Sequence, residues 1–384
     1  MSQDDDDETI QAPANRISPD LDRNHPYFNL SPELAESSIT IDNYPSSRAH
    51  NNYDQQSLVS DLTINSGSSS STACTNLSAH SADMFRDETC TRLVEENGPS
   101  LINLVRRIPQ QSLIRAGEKA PSIEGKSYNS ARDELFIADF VNKVVRAMRV
   151  RDNDGDLQDV YRAPHDTSPL VWSVCHMSDF DTLLVCSREV GPDMKYANWL
   201  VALSRNGSEW REAHRVQTGG MGWICCALSD SRVLIGNNST YMELFRVESG
   251  PRIERVHSIH VPNNYEWFSA TCGSDTFVAM SYRRDQSVRV HRLRGDRLEE
   301  LSRIQLKSPG KLLWVADRLL VADYDNDKKS HAVIELEVSD TRLERRRKLI
   351  ATSENINVSS WCAVNDGLAI FDYKSKNILH YSFV

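Results

Sequence analysis

The pattern of hydrophobic and polar positions changes near residue 99. From there onward, short runs of β-branched and aromatic residues alternate with polar turns, which is typical of an all-β structure. Six runs are especially regular, and each ends in a polar residue at the same register. They are ELFIAD (134–139), TLLVCS (182–187), RVLIGN (232–237), TFVAMS (276–281), RLLVAD (318–323) and GLAIFD (367–372). A second apolar run follows each of them, which indicates one structural unit repeated six times.

Tryptophans recur through the same region with a period close to 47 residues. Their spacings are 51, 44, 47 and 47, and the residues are Trp172, Trp223, Trp267, Trp314 and Trp361. A period of this size indicates a repeat architecture, and four short antiparallel strands per period form one propeller blade. The sequence therefore predicts a six-bladed β-propeller of four-stranded antiparallel blades. The five tryptophans are expected in the inner strands, as packing residues between blades.

The two ends of the repeat region predict how the ring closes. The sixth repeat stops at Val384 after its third strand, and residues 100–109 (SLINLVRRIP) have the apolar pattern of an outer strand. We therefore expect this segment to complete the sixth blade, which removes an open sheet edge. The inner strand of the first blade must lie in 118–130. Residues 99–384 are then one domain, and we expect a monomeric propeller.

Residues 1–98 have a different composition. They contain no tryptophan, few large apolar residues, 17 acidic residues and only 5 basic ones. Such a segment buries too little surface to offset the entropy of ordering, so we predict a disordered tail with a possible short helix at 81–97. A partner-binding arm and an inert solubilising tail are both open interpretations of this segment.

Charge narrows the classes of function. The whole chain has a net charge of −10, but residues 99–384 contain 37 acidic and 39 basic residues. This balance does not favour a nucleic-acid binder. The chain has no run of 18 apolar residues, and its acidic start, MSQDDDDE, does not resemble a secretory signal. The expectation is a soluble cytoplasmic protein that does not bind membranes.

One motif carries a resemblance to a known family. The stretch LFIADFVNKVVRAMRV (135–150) resembles the repeat of NHL-type propellers, in which an apolar strand, Ala-Asp, two residues and Asn precede a second apolar strand. Asp323 and Asn326 have the same spacing, and Asp372 keeps the acidic position. The form is shared with related six-bladed propellers. The resemblance therefore implies the NHL-like and TolB-like superfamily rather than one family within it.

The candidate binding residues belong to loops that the repeat places on one face. They are Asp139, Asn142, Arg283, Arg284, Asp323, Asp325, Asn326 and Asp372. The simplest interpretation of Asp-x-x-Asn is turn chemistry: Asp accepts turn N–H groups, and Asn tolerates a positive φ. The functional interpretation is a ring of carboxylates around the axis. The sequence predicts no catalytic residue, no metal ligand set and no cofactor.

Three functions follow from these residues. The first is a non-enzymatic interaction scaffold that binds a protein partner through loops of one face, where binding residues commonly lie. The second is a metal-dependent hydrolase of the gluconolactonase-like kind, which needs several carboxylate and amide oxygens around one cation. The third is an NHL-like RNA-binding domain, which needs clustered Lys and Arg with aromatic residues.

Overall fold

The computed structural model contains six four-stranded antiparallel sheets, each of which is one blade. It describes residues 102–150, 157–163, 170–190, 196–220, 222–228, 231–236, 240–261, 264–272, 275–315, 318–338, 343–365 and 367–383. The predicted disordered tail of 1–98 and its helix at 81–97 lie outside these residues. No helix in these ranges is long and apolar enough to span a membrane.

After the first strand of the chain, the strands follow one another blade by blade, in the order inner, second, third and outer strand. The strands of blades 1 to 3 are β2 (Ile123–Asn129), β3 (Glu134–Asp139), β4 (Val144–Arg149), β5 (Gln158–Arg162), β6 (Leu170–Met177), β7 (Thr182–Val190), β8 (Tyr196–Asn206), β9 (Glu209–Gln217), β10 (Ile224–Ala227), β11 (Arg232–Gly236), β12 (Tyr241–Glu248) and β13 (Arg252–His260). Those of blades 4 to 6 are β14 (Trp267–Cys272), β15 (Thr276–Tyr282), β16 (Ser287–Arg294), β17 (Arg297–Gln305), β18 (Pro309–Val315), β19 (Arg318–Asp325), β20 (Ser330–Val338), β21 (Leu343–Ile350), β22 (Val358–Val364), β23 (Gly367–Asp372) and β24 (Asn377–Phe383).

The sixth blade joins the two ends of the propeller chain. Strand β1 (Ile102–Ile108) pairs antiparallel with β24, so that the sheet order is β1-β24-β23-β22. The outer strand of this blade therefore comes from the start of the propeller region and its other three strands from the end. The β1 strand lies inside the segment 100–109 that has the outer-strand pattern, and β2 lies inside 118–130.

The hydrophobic core is divided among the interfaces between blades. Six buried clusters are present, and each draws its residues from two neighbouring blades, including one between blades 6 and 1. The second strands supply much of this core: every residue of β23 and all but the first residue of β3 are buried. Both faces of a middle strand contact a neighbouring blade, which explains why these runs are continuously apolar rather than alternating.

The Gly125 residue of β2 allows blades 1 and 2 to approach closely. A Cβ atom at this position would lie 2.6 Å from the Cα of Ser173 and 2.9 Å from the backbone nitrogen of Val174, both on β6. Backbone atoms cannot move aside as a flexible side chain can. The close approach therefore requires glycine at this position.

Candidate functional site

The candidate binding surface consists of the loops that join second strands to third strands. They include residues 140–143, 283–286, 326–329 and 373–376, and we call this side of the propeller the upper face. Because the strands within a blade are antiparallel, the inner strands begin on this face and the second strands end there. All eight candidate binding residues lie on this face or at the strand ends that border it.

Three of the predicted aspartates, one each in blades 1, 5 and 6, link the end of the second strand to the start of the inner strand at the upper face. In each case the carboxylate accepts a hydrogen bond from the backbone N–H of the residue that precedes the inner strand of the same blade. The pairs are Ser122 to Asp139 (3.2 Å), Ser308 to Asp323 (2.8 Å) and Asn357 to Asp372 (2.7 Å). Burial raises the pKa of Asp139 and of Asp323, although these hydrogen bonds oppose the increase.

Asp139 and Asp372 also organise the loops that follow them. The Asp139 Oδ1 atom accepts the backbone N–H groups of Val141 (3.2 Å) and Asn142 (3.3 Å). Asp372 accepts the backbone N–H groups of Lys374 and Ser375 in the same way. These contacts are the turn chemistry that the sequence suggests, and they occupy oxygens that a metal would need.

The predicted role of the asparagines is wrong. Neither Asn142 nor Asn326 has a positive φ, and the left-handed residue of the blade 1 loop is the next one, Lys143 (φ 58°). Asn142 acts through its side chain instead. Its amide donates to Asp139 Oδ2 (2.7 Å) and to the backbone oxygen of Lys119 (3.0 Å), and it accepts the N–H of Lys119 (3.1 Å).

Asp323 and Asn326 also differ structurally from Asp139 and Asn142, despite their identical spacing. In blade 1 the pairing ends at Asp139 with Val144, whereas in blade 5 it continues two residues further, to Asp325 with Ser330. The turn is therefore organised by Asp325, whose Oδ1 accepts the N–H groups of residues 327 and 328. Asp139 binds the start of the inner strand and also organises the turn. In blade 5, Asp323 does the first and Asp325 the second.

Arg283 and Arg284 occupy the loop of blade 4. The Arg283 guanidinium donates to the Ser308 hydroxyl (3.2 Å), which belongs to blade 5, and Arg284 is exposed. Burial raises the pKa of nearby Glu266, and the two arginines oppose that change. Within the described ranges, no three His, Cys, Asp or Glu side chains lie close enough to share one cation. The candidate residues come from blades 1, 4, 5 and 6.

The five tryptophans lie in or beside inner strands, but at different depths. Trp172 is a bulged residue near the start of β6, Trp223 precedes β10, and Trp267 pairs with Ser281 at the upper end of β14. Trp361 pairs with Ile370 and Trp314 with Leu319, two and four positions deeper. The five tryptophans therefore differ in depth, because strand register, not spacing, determines it.

Two of the upper tryptophans form an aromatic group with Phe140 where the inner strands begin. The rings of Trp172 and Trp223 stack at 4.5 Å, and Phe140 lies 4.5 Å from Trp172 on the other side. The Lys311 Nζ atom lies 3.6 Å from the ring centroid of Trp267, which is cation–π geometry. This part of the upper face therefore combines aromatic surfaces with a cation.

Two buried lysines of the inner strands were missed by sequence reasoning. Lys126 of β2 donates to the backbone oxygen of Ser360 (2.9 Å) and lies 5.5 Å from the ring of Phe371. Burial lowers the pKa of Lys126 well below its usual value, and the Lys311 charge lowers it further. Burial also lowers the pKa of Lys311, to about 8. The only sequence signal for this pair is a lysine inside a short inner-strand run.

The pKa of Lys311 gives a prediction about stability and pH. The folded pKa of about 8 is below the ordinary value of 10.5, so the unfolded chain binds more protons between these values. Stability should therefore rise across this window. The cost of the buried ammonium is fully present below pH 8. We expect Lys311→Met to raise the melting temperature at pH 7 and this advantage to shrink towards pH 10. A pH-independent difference would contradict the assignment.

The hairpin of blade 2 extends further than any other described second-to-third-strand hairpin. The pairing of β7 with β8 continues beyond Ser187 for three residue pairs, to Val190 with Tyr196. At about 3.3 Å per residue, the extension is about 10 Å long. It carries Tyr196, which is 40% exposed, with the Arg188 guanidinium 3.5 Å from its ring centroid. The hairpin thus presents an aromatic and cationic pair on the upper face.

Comparisons with known proteins identify the fold and no closer relationship. No protein-family model matches the sequence, and no curated protein sequence is similar to it. A glucose dehydrogenase structure aligns with a TM-score of 0.51 and 10% identity, covering 74% of this chain and 99% of that one. Two further structures also align over 74% of this chain. One is the soluble aldose sugar dehydrogenase of Escherichia coli, with a TM-score of 0.49, 10% identity and 99% of that chain covered. The other is virginiamycin B lyase of Staphylococcus aureus, with a TM-score of 0.44, 10% identity and 100% of that chain covered. At such identities the likeness concerns the fold alone. The chain is a six-bladed β-propeller.

Proposed function

We propose that this propeller is a non-enzymatic scaffold that binds a protein partner through its upper face. The observation that carries the proposal is the extended hairpin of blade 2, with Tyr196 and Arg188 stacked near its tip. Tyrosine and arginine are among the residues that contribute most to protein–protein binding energy. A rigid strand pair holds them in place, which reduces the entropy lost when a partner binds.

Exposure supports the choice of this surface. Among the described residues, only three large hydrophobic side chains are exposed: Leu104, Val105 and Tyr196. Leu104 and Val105 lie on β1, the outer strand of blade 6, and Tyr196 belongs to the upper face. The aromatic group of Phe140, Trp172 and Trp223 lies on the same face, at the start of the inner strands. A partner that binds at the hairpin could extend towards this group.

The hydrolase alternative gains no specific support from the site. Such an enzyme needs at least three oxygen ligands around one cation. In the part of the chain that the structure describes, the predicted aspartates of blades 1, 5 and 6 each accept backbone hydrogen bonds of their own blade. The RNA-binding alternative stays a prediction. The net charge of the propeller does not favour it, since residues 99–384 have nearly equal numbers of acidic and basic residues.

The test is a quantitative co-purification of the full chain from cells with two matched variants. Tyr196→Ala removes the exposed aromatic ring of the hairpin, and Val105→Ala removes an exposed apolar side chain elsewhere. We expect Tyr196→Ala to weaken the affinity for the bound partner by about thirtyfold or more, as truncation of a central interface tyrosine does. Val105→Ala should retain the partner.

Two results would count against the proposal. One is an unchanged set of bound proteins with Tyr196→Ala, provided circular dichroism shows that the variant is folded. The other is equal loss with Tyr196→Ala and Val105→Ala, which would point to non-specific hydrophobic capture.

A further inference from the structure

A cavity of about 370 Å³ lies between blades 4 and 5 on the upper face. Its charged lining residues come mainly from blade 5 and from the segment that enters it. They are Lys307, Asp323, Asp325, Lys328, Arg345 and Lys348. Four cations and two carboxylates give this lining a formal charge of +2. The volume is at the lower end of the range for small-molecule sites.

The two carboxylates of the cavity are already used by the backbone. Asp323 accepts the N–H of Ser308 (2.8 Å), and Asp325 accepts the N–H groups of Asp327 (3.0 Å) and Lys328 (3.1 Å). These bonds fix both aspartates as parts of the loops. Burial raises the pKa of Asp323, and backbone hydrogen bonds together with the charges of Arg345 and Lys307 oppose this increase.

A β-bulge directs two of the cations into the cavity. In β21, Arg345 pairs with Leu336 and Arg347 with Glu335, so that Arg346 is an extra residue. Residues 345 and 348 would point to opposite faces of a regular strand, because side chains alternate. The bulge places Arg345 and Lys348 on the same face, beside Ala332 and Ile334 of β20.

The same bulge separates the basic run Arg345–Lys348 into two groups. Arg346 and Arg347 bind the buried carboxylate of Glu335, at 3.4 Å and 2.9 Å. They therefore neutralise an internal charge on the other side of the strand. Lys348 lines the cavity although it is only 3% exposed. Arg345 and Lys348 therefore line the cavity, while Arg346 and Arg347 contact Glu335.

We propose that the cavity between blades 4 and 5 binds the phosphomonoester group of a small phosphorylated molecule. A phosphomonoester carries nearly two negative charges at neutral pH, which matches the +2 lining. Arginine and lysine are the side chains that recognise phosphate oxygens. Leu306, Ala332 and Ile334 supply an apolar wall for the organic part of the ligand. This proposal does not depend on the protein partner of the hairpin.

The test measures binding of O-phospho-L-serine and inorganic phosphate to the full chain by isothermal titration calorimetry, with L-serine as the comparison that lacks a phosphate group. The informative pair of variants is Arg345→Gln and Arg346→Gln. Both remove one positive charge from β21, but only Arg345 lines the cavity. We expect Arg345→Gln to weaken binding at least about tenfold, as loss of a charge-assisted hydrogen bond does, and Arg346→Gln to leave binding nearly unchanged.

The outcomes are distinct. Binding of either phosphate probe with this dependence on Arg345 supports the site. A much tighter complex with a phosphoserine-containing peptide than with phosphoserine itself would identify a modified protein as the source of the group. Absence of binding by both probes would overturn the proposal. Equal loss with the two variants would also overturn it, because the effect would then be one of overall charge.

Discussion

A chain with Arg146 replaced by leucine is expected to lose about 3–5 kcal/mol of unfolding free energy. The Arg146 side chain is fully buried in blade 1. Its guanidinium contacts Asp159 (3.1 Å), Asp139 (3.4 Å), Glu118 and the backbone oxygen of Leu113 (3.0 Å). Leucine fills part of the volume but leaves these acceptors without their donor, and a buried group that loses its partner is strongly destabilising.

The pH dependence of this effect separates charge from packing. Burial raises the pKa values of Glu118 and Asp159, but hydrogen bonds and arginine charges dominate and lower both below 4.5 and 3.8. Groups with lowered pKa values stabilise the fold above their unfolded pKa, and this contribution is lost as pH falls through the folded pKa. The penalty of Arg146→Leu should therefore be largest near pH 7 and smaller near pH 3.

Chemical denaturation at both pH values measures this effect, with Arg211→Leu as the control. Arg211 also pairs with a carboxylate, that of Glu209 at 2.7 Å, but both side chains are about two-thirds exposed. The control should change stability by less than about 0.5 kcal/mol. Similar losses for the two variants, or a penalty for Arg146→Leu that is independent of pH, would contradict the role given to the buried network.

Removal of β1 is expected to have the largest effect of all. Without residues 102–108 the sixth blade keeps three strands, and β24 keeps its pairing with β23 but loses its outer partner. The deletion also removes Ile102 and Ile108, which are buried in two different clusters between blades. Each buried isoleucine contributes about 2–5 kcal/mol, and whole domains are stable by only about 5–15 kcal/mol. We expect the deleted chain to lose cooperative unfolding.

Two substitutions on the same strand make this prediction sharper. Ile108 is 3% exposed and Val105 is 60% exposed. Ile108→Ala should lower the unfolding free energy by about 2–5 kcal/mol, whereas Val105→Ala should change it by less than about 0.5 kcal/mol. Urea denaturation of the full chain gives both values. Equal effects, or normal cooperative unfolding of the deleted chain, would show that β1 does not hold the sixth blade.

The architecture was predictable because it depends on patterns that repeat. Six copies of the same apolar run fixed the number of blades, and continuous burial of second strands explains why each copy is so regular. The outer-strand pattern of 100–109 is also visible in the sequence, because its apolar positions resemble those of the outer strand RLEELSRIQL (297–306). A blade packs against its neighbours in the same way each time, so each copy carries the same constraint.

The site was less predictable because it depends on register. Asp323-x-x-Asn326 has the same residue types as Asp139-x-x-Asn142. The hairpin of blade 5 is longer by two residue pairs, however, so Asp325 accepts the hydrogen bonds of its turn. The bulge at Arg346, which sends Arg345 into the cavity, has no signature in the basic run itself. Such features follow from pairing between strands, and a single sequence does not show which residues face each other.

The buried charges were missed for a related reason. Arg146 meets acidic residues that are 7, 13 and 28 positions away, on three different segments. Lys126 bonds to a backbone oxygen 234 positions away, across the junction between blades 1 and 6. In the sequence each of these residues resembles an ordinary polar position of a strand. Strand pairing within blade 1 brings Arg146 to its partners, and closure of the ring brings Lys126 to Ser360.

The central claim, that the upper face binds a protein through the blade 2 hairpin, is tested most directly by photocrosslinking in cells. A photoreactive phenylalanine analogue is placed at Tyr196 in one chain and at Val105 in another, two exposed positions on different surfaces. Our account predicts a discrete crosslinked protein from position 196 and none from position 105. No crosslink at position 196, or the same product from both positions, would contradict it.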